Sequence, residues 1–192
     1  MLIVLRRNSA SVVVLAVVVG LAAACGGQGS RPTATTPKRI SRTFMSIGDA
    51  YVRKSQPRAK FGKTSELRLD ASPPARAYLR FRPLGITGKI ERATLRIYTL
   101  TASNDGFEVR STSGGWSESR ITFANAPPVG NVVGVSASFA RQSWRSIDVS
   151  SLVHSRTGLV EVALTGTDPT ELAIASRERG ELAPRLIIES TR

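Results

Sequence analysis

From Ser46 onward, apolar and polar residues alternate in short runs separated by turn residues. A period of two puts successive side chains on opposite faces of an extended chain, so these runs predict strands that are wet on one side. In residues 65–71, Leu67 and Leu69 oppose Glu66, Arg68 and Asp70. In residues 76–82, Ala77, Leu79 and Phe81 share one face, and Tyr78, Arg80 and Arg82 share the other. In residues 92–100, Ala93, Leu95 and Ile97 lie opposite Thr94, Arg96 and Tyr98, and residues 106–111 set Phe107 and Val109 against Glu108 and Arg110. Further candidates are 47–54, 132–138, 144–149, 159–166, 171–176 and 185–189. Ser72-Pro73-Pro74, Asn104-Asp105-Gly106, Pro127-Pro128 and Asp168-Pro169 punctuate them as turns. Helical signal is confined to residues 148–153, with Asp148 or Ser150 as N-cap. The expected fold is all-β: a jelly-roll-like β-sandwich of about nine or ten mostly antiparallel strands.

The preceding residues belong to a different regime. Arg6 and Arg7 precede an apolar run over residues 12–24, shorter than the ~20 residues that span hydrocarbon. The run ends in Leu21-Ala22-Ala23-Ala24-Cys25, and Gly26-Gly27 come next. The pattern resembles a bacterial lipoprotein signal, with Leu21 one place further from the cysteine than usual. It implies a signal peptide over residues 1–24 and lipidation of Cys25. Cys25 is the only cysteine, so no intramolecular disulfide forms and acylation gives the lone thiol a purpose. An uncleaved signal anchor is the other reading, and both export the remainder of the chain. Residues 25–45, rich in Gly, Pro, Ser and Thr, read as a flexible tether. Within it Arg31, Lys38, Arg39 and Arg42 have the sign to lie along anionic headgroups. Residues 46–192 then form one domain. The expected location is the cell envelope, at the outer face of the cytoplasmic membrane, or secretion.

The chain carries 27 Lys+Arg against 14 Asp+Glu, a formal charge of +13. Such an excess attracts polyanions, which outside the cytoplasm means anionic lipid, wall polymers or uronic-acid polysaccharides; nucleic acid is not the expected partner there.

Several segments together resemble the DNRLRE domain family, carbohydrate-binding module family 96. They are Asp49-Ala50-Tyr51-Val52, Phe61-Gly62 and Leu67-Arg68-Leu69, then Arg76-Ala77-Tyr78-Leu79-Arg80-Phe81 and Ala93-Thr94-Leu95-Arg96-Ile97-Tyr98. Trp116-Ser117-Glu118 follows, leading to Ile121-Thr122-Phe123-Ala124-Asn125-Ala126-Pro127, with Phe123 where the family usually has tryptophan. Ser176-Arg177-Glu178 and Ala183-Pro184-Arg185-Leu186 close the series. The resemblance implies a β-sandwich binding module for polysaccharide, notably acidic alginate. Against the family's usual setting, the expectation here is a module without an attached catalytic domain.

Arg68, Tyr78, Arg80, Arg82, Arg96 and Tyr98 all project from strand faces opposite the apolar ones. On neighbouring strands they would interleave guanidinium forks, which pair with carboxylates, and rings, which stack on pyranose faces. The competing reading pairs these arginines with Glu66, Asp70, Glu91 and Glu108 as a solvated surface. Asp49, Trp116, Glu118, Arg177 and Glu178 are expected to be structural. Asp49, Arg177 and Glu178 would lock the first and last strands, or hold a structural Ca²⁺. Trp116 would organise a long loop with Glu118, Thr122 and Asn125, or stack on sugar.

Enzymatic chemistry finds few footholds. His154 is the sole histidine, which excludes a multi-histidine zinc site, and there is no G-x-S-x-G, P-loop or dinucleotide fingerprint. The expectation is a non-catalytic surface module for an acidic polysaccharide, with no cofactor. The alternatives are a structural or adhesive lipoprotein meeting an envelope protein, and a β-sandwich polysaccharide lyase.

Overall fold

The alternating runs pair as antiparallel strands throughout, in the order β1 (Arg39–Met45), β2 (Gly48–Arg53), β3 (Glu66–Ala71), β4 (Pro74–Phe81), β5 (Lys89–Thr99) and β6 (Phe107–Thr112). They continue as β7 (Val129–Val135), β8 (Ser143–Asp148), β9 (Val160–Gly166), β10 (Leu172–Ala175) and β11 (Arg185–Thr191). The computed structural model describes residues 38–153 and 158–192, which lie within one compact unit, Thr36–Arg192. The signal peptide, Cys25, most of the tether and His154 lie outside the described residues.

The ladder runs β1-β11-β5-β10-β3-β4-β9-β6-β7, with β2 added on β4 and β8 on β5. A continuous ribbon of this kind buries its apolar face by folding back on itself. One core accordingly draws Leu79, Phe81, Phe107 and Leu164 from the β2-β4-β9-β6 half, and Leu95, Ile97, Ile147 and Leu186 from the β8-β5-β11 half. The result is the expected β-sandwich, and the β3–β4 hairpin joins its two layers. Burying one leucine or phenylalanine side chain contributes ~1.5–3 kcal/mol, so inward faces of this kind account for the fold's coherence.

Ten strands fall where the alternation puts them, and the eleventh corrects the domain division. Residues 39–45 belong to the tether by composition, yet they form β1, registered on β11 from Arg39 opposite Thr191 to Met45 opposite Arg185. Phe44 packs against the core, which a tether residue would not do. Arg42 falls between Ile40 and Phe44 on the same face of the strand and interrupts the apolar alternation. Residues 148–153 supply a 3-10 turn at Ser150–Leu152, where Asp148 Oδ1 accepts from Ser150 N at 2.9 Å.

Candidate functional site

The structure does not gather the six anticipated binding residues into one platform. It divides them among four environments, and burial is the first reason. The outer face of β4 is roofed by the β6–β7 connection, residues 113–128, which forms a second small core. There Trp116 and Ile121 pack on Ala50, Val52, Tyr78 and Ala163. Tyr78 is fully buried; its hydroxyl donates to Pro127 O at 2.8 Å, and its ring centroid lies 6.0 Å from that of Trp116. Arg80 lies beneath the same roof. Its Nε donates to Glu161 Oε1 at 2.8 Å, its Nη2 to Trp116 O at 2.5 Å, and its guanidinium stacks 4.5 Å from the Trp116 centroid. Tyr78 is closed to a ligand, and the Arg80 guanidinium, though partly exposed, is already committed to Glu161, the Trp116 carbonyl and the indole.

Arg68 is neutralised by acids. It donates to Glu171 at 2.6 Å and to Glu66 at 2.9 Å; Arg53 joins at Glu171 and Arg179 at Glu66. This line of half-exposed ion pairs is the solvated-surface alternative, each pair worth ~0–1 kcal/mol. Arg82 is exposed just beyond β4, with no ion pair among the described residues. Arg96 and Tyr98 occupy the outer face of β5, in the opposite layer from β4.

That β5 face assembles a different group. Arg96 pairs across to Arg185 on β11, and Tyr98 pairs across to Trp144 on β8. The Trp144 ring receives both guanidiniums, with Cζ of Arg96 at 4.8 Å and Cζ of Arg185 at 5.0 Å from its centroid. Tyr98 meets the same ring edge-on at 5.3 Å. Among the described residues no carboxylate pairs with either arginine, and both Nε atoms are enclosed without an acceptor. Arg185 Nη2 donates only to the Glu181 carbonyl. Two charges sharing one ring lie no more than about 10 Å apart, where they repel by at least about 0.4 kcal/mol even in water. The indole offsets this through cation–π attraction, and a bound anion would relieve it further. Trp144 and Arg185 were missed as site residues; their signal was outward parity on strands flanking β5, which means nothing until the strand order is known.

Asp49, Glu118, Arg177 and Glu178 do come together. Asp49 N donates to Glu118 Oε1 at 3.0 Å, and Arg177 N donates to Asp49 Oδ2 at 2.7 Å. The Arg177 guanidinium grips both Glu118 oxygens at 2.7 and 3.0 Å and approaches Glu178 at 3.3 Å. Ser176 caps the following turn by accepting from Glu178 N. These contacts tie β2, the roof and the β10–β11 connection at one point. Asp49 is 1% exposed, and its Oδ1 has no donor. Burial pushes its carboxyl up to about 7; the charges of Glu178 and Glu118 add to the rise, and the Arg177 N–H and guanidinium oppose it. Carboxylate oxygens of Asp49, Glu118 and Glu178 lie within 4.8 Å of one another, the spacing a Ca²⁺ would use. Arg177 already sits among them as counter-charge.

The family model for carbohydrate-binding module family 96 matches residues 40–190. No curated protein matches the chain. The match begins within β1 and ends within β11, so it covers both cores, the roof and the Trp144 face. The chain belongs to carbohydrate-binding module family 96.

Proposed function

We propose that this module is non-catalytic and holds an acidic polysaccharide, such as alginate, on the surface made by Arg96, Tyr98, Trp144 and Arg185, displayed in the cell envelope by a lipid on Cys25. Family membership supports carbohydrate as the partner. The observation that carries the acidic preference is the pair of acid-free guanidiniums held against one indole. A uronate carboxylate would accept from the arginine forks, and partly exposed rings beside them would receive the sugar face. Contacts of this kind are shallow and close to solvent, so binding is weak and screened by salt within a ~10 Å Debye length at 0.1 M.

Titration calorimetry of alginate, pectate and a neutral glucan at low and moderate salt tests the reading. Acidic polymers should bind, and their affinity should fall with salt. Arg96→Ala and Arg185→Ala should each weaken binding ~10-fold or more, the scale of a lost charged hydrogen bond. Equal affinity for neutral and acidic chains, or unchanged affinity in both variants, refutes it. Incubation with alginate should produce no rise in ultraviolet absorbance from unsaturated ends; such a rise would favour a lyase.

A further inference from the structure

We propose that the end of the sandwich where the chain enters β1 is a docking surface for an anionic phospholipid bilayer. The entering chain pairs at once with the outgoing one: Lys38 N donates to Arg192 O, and Arg192 N to Lys38 O, each at 3.0 Å. One step along, Arg39 stands opposite Thr191, which stands opposite Lys89. The β4–β5 connection closes against the same edge. A Cβ on Gly88 would lie 1.8 Å from Thr191 O, and one on Gly85 would lie 3.1 Å from Arg42 Nη1. Both glycines have positive φ, at 78° and 71°, so the tight approach is built on residues that tolerate it. The same connection carries Leu84, 54% exposed, next in the chain to Gly85.

Lys38, Arg39, Arg42 and Lys89 are all exposed on this edge. Among the described residues the only acid paired with any of them is Glu91, 3.4 Å from the Lys89 ammonium. Arg39 and Lys89 on one face of this end, and Arg42 on the other beside the connection that carries Leu84, have the chemistry of a headgroup-facing edge: charge for phosphate, and a short apolar side chain for the interface. Chain length supplies the orientation. Cys25 precedes Lys38 by 13 residues, and a chain of that length reaches no further than ~45 Å. A lipid on Cys25 would therefore tether this end to the bilayer, while the Trp144 surface lies at the opposite ends of β5 and β11, with β8. The orientation rests on the lipoprotein reading; the surface chemistry does not.

The experiment separates the two. Thr36–Arg192 contains both cores and all described hydrogen bonds, so it folds on its own. It is sedimented with vesicles of phosphatidylcholine alone and with vesicles that also contain phosphatidylglycerol. Binding to the anionic vesicles alone, declining with salt, is expected. Each cation should account for a ~5-fold change in partitioning, so Arg39→Ala with Lys89→Ala should lower it ~25-fold and leave alginate binding intact. Arg96→Ala with Arg185→Ala should do the reverse. The proposal is overturned by no sedimentation with anionic vesicles at low salt, by equal sedimentation with neutral ones, or by loss only in the Arg96/Arg185 variant. Fatty-acid labelling of the full chain, with Cys25→Ser as control, reports the anchor independently.

Discussion

Asp49→Asn should make this domain more stable above neutral pH and flatten its response to pH. The wild-type carboxyl is enclosed, with Oδ2 accepting from Arg177 N, Oδ1 without a donor, and carboxylate oxygens of Glu118 and Glu178 close by. Its ionisation is raised from 3.8 to about 7 in the folded chain. Below pH 3.8 both folded and unfolded chains hold the proton, and the group has no effect on the pH slope. Between about 4 and 7 the folded chain keeps a proton that the unfolded chain has released, so stability falls as pH rises. The loss is complete above 7. A tenfold difference in proton affinity between the folded and unfolded chains corresponds to about 1.4 kcal/mol, which makes the whole effect up to about 4 kcal/mol. That is a large share of the ~5–15 kcal/mol that holds a domain together. Asparagine keeps an acceptor for Arg177 N and turns an N–H₂ toward the neighbouring carboxylates. Urea denaturation followed by tryptophan fluorescence at pH 5 and pH 8.5 measures the difference. Taking asparagine as the equal of the protonated carboxyl, the variant should be ahead by about 2 kcal/mol at pH 5 and by about 4 kcal/mol at pH 8.5. Parallel curves for the two chains would refute the reasoning.

Two further substitutions test how the other parts of the fold are read. Trp116→Ala removes the centre of the roof and should cost about 3–5 kcal/mol in urea denaturation, while polysaccharide affinity of the folded fraction stays unchanged; lost affinity in a stable variant would put the site back on β4. Phe44→Ala should destabilise by about 2 kcal/mol if β1 is part of the sandwich, and the absence of any effect would return residues 39–45 to the tether.

Local pattern and long-range packing divide the explanation. Strand positions were legible because alternation is a property of adjacent residues: the inward set of β4, Ala77, Leu79 and Phe81, is written in consecutive positions and is fully buried. β1 escaped because Arg42 falls in its inward row, a pattern that an edge strand tolerates. The Asp49, Glu118, Arg177 and Glu178 group was legible as a set of structural residues, although only their meeting shows which atoms bond.

The fate of outward-facing side chains had no local signature. Tyr78 and Tyr98 look alike in sequence, each outward on a strand and beside arginines. Tyr78 is buried because Trp116, distant in the chain, returns to cover it, whereas Tyr98 borders a ring offered by β8. Arg68 is neutralised by Glu171, 103 residues away, and Arg96 meets Arg185 only because β11 is laid alongside β5. A period of two assigns each side chain to one of two faces. Whether that face meets a roof, an acid or water depends on contacts that chain folding makes between residues far apart.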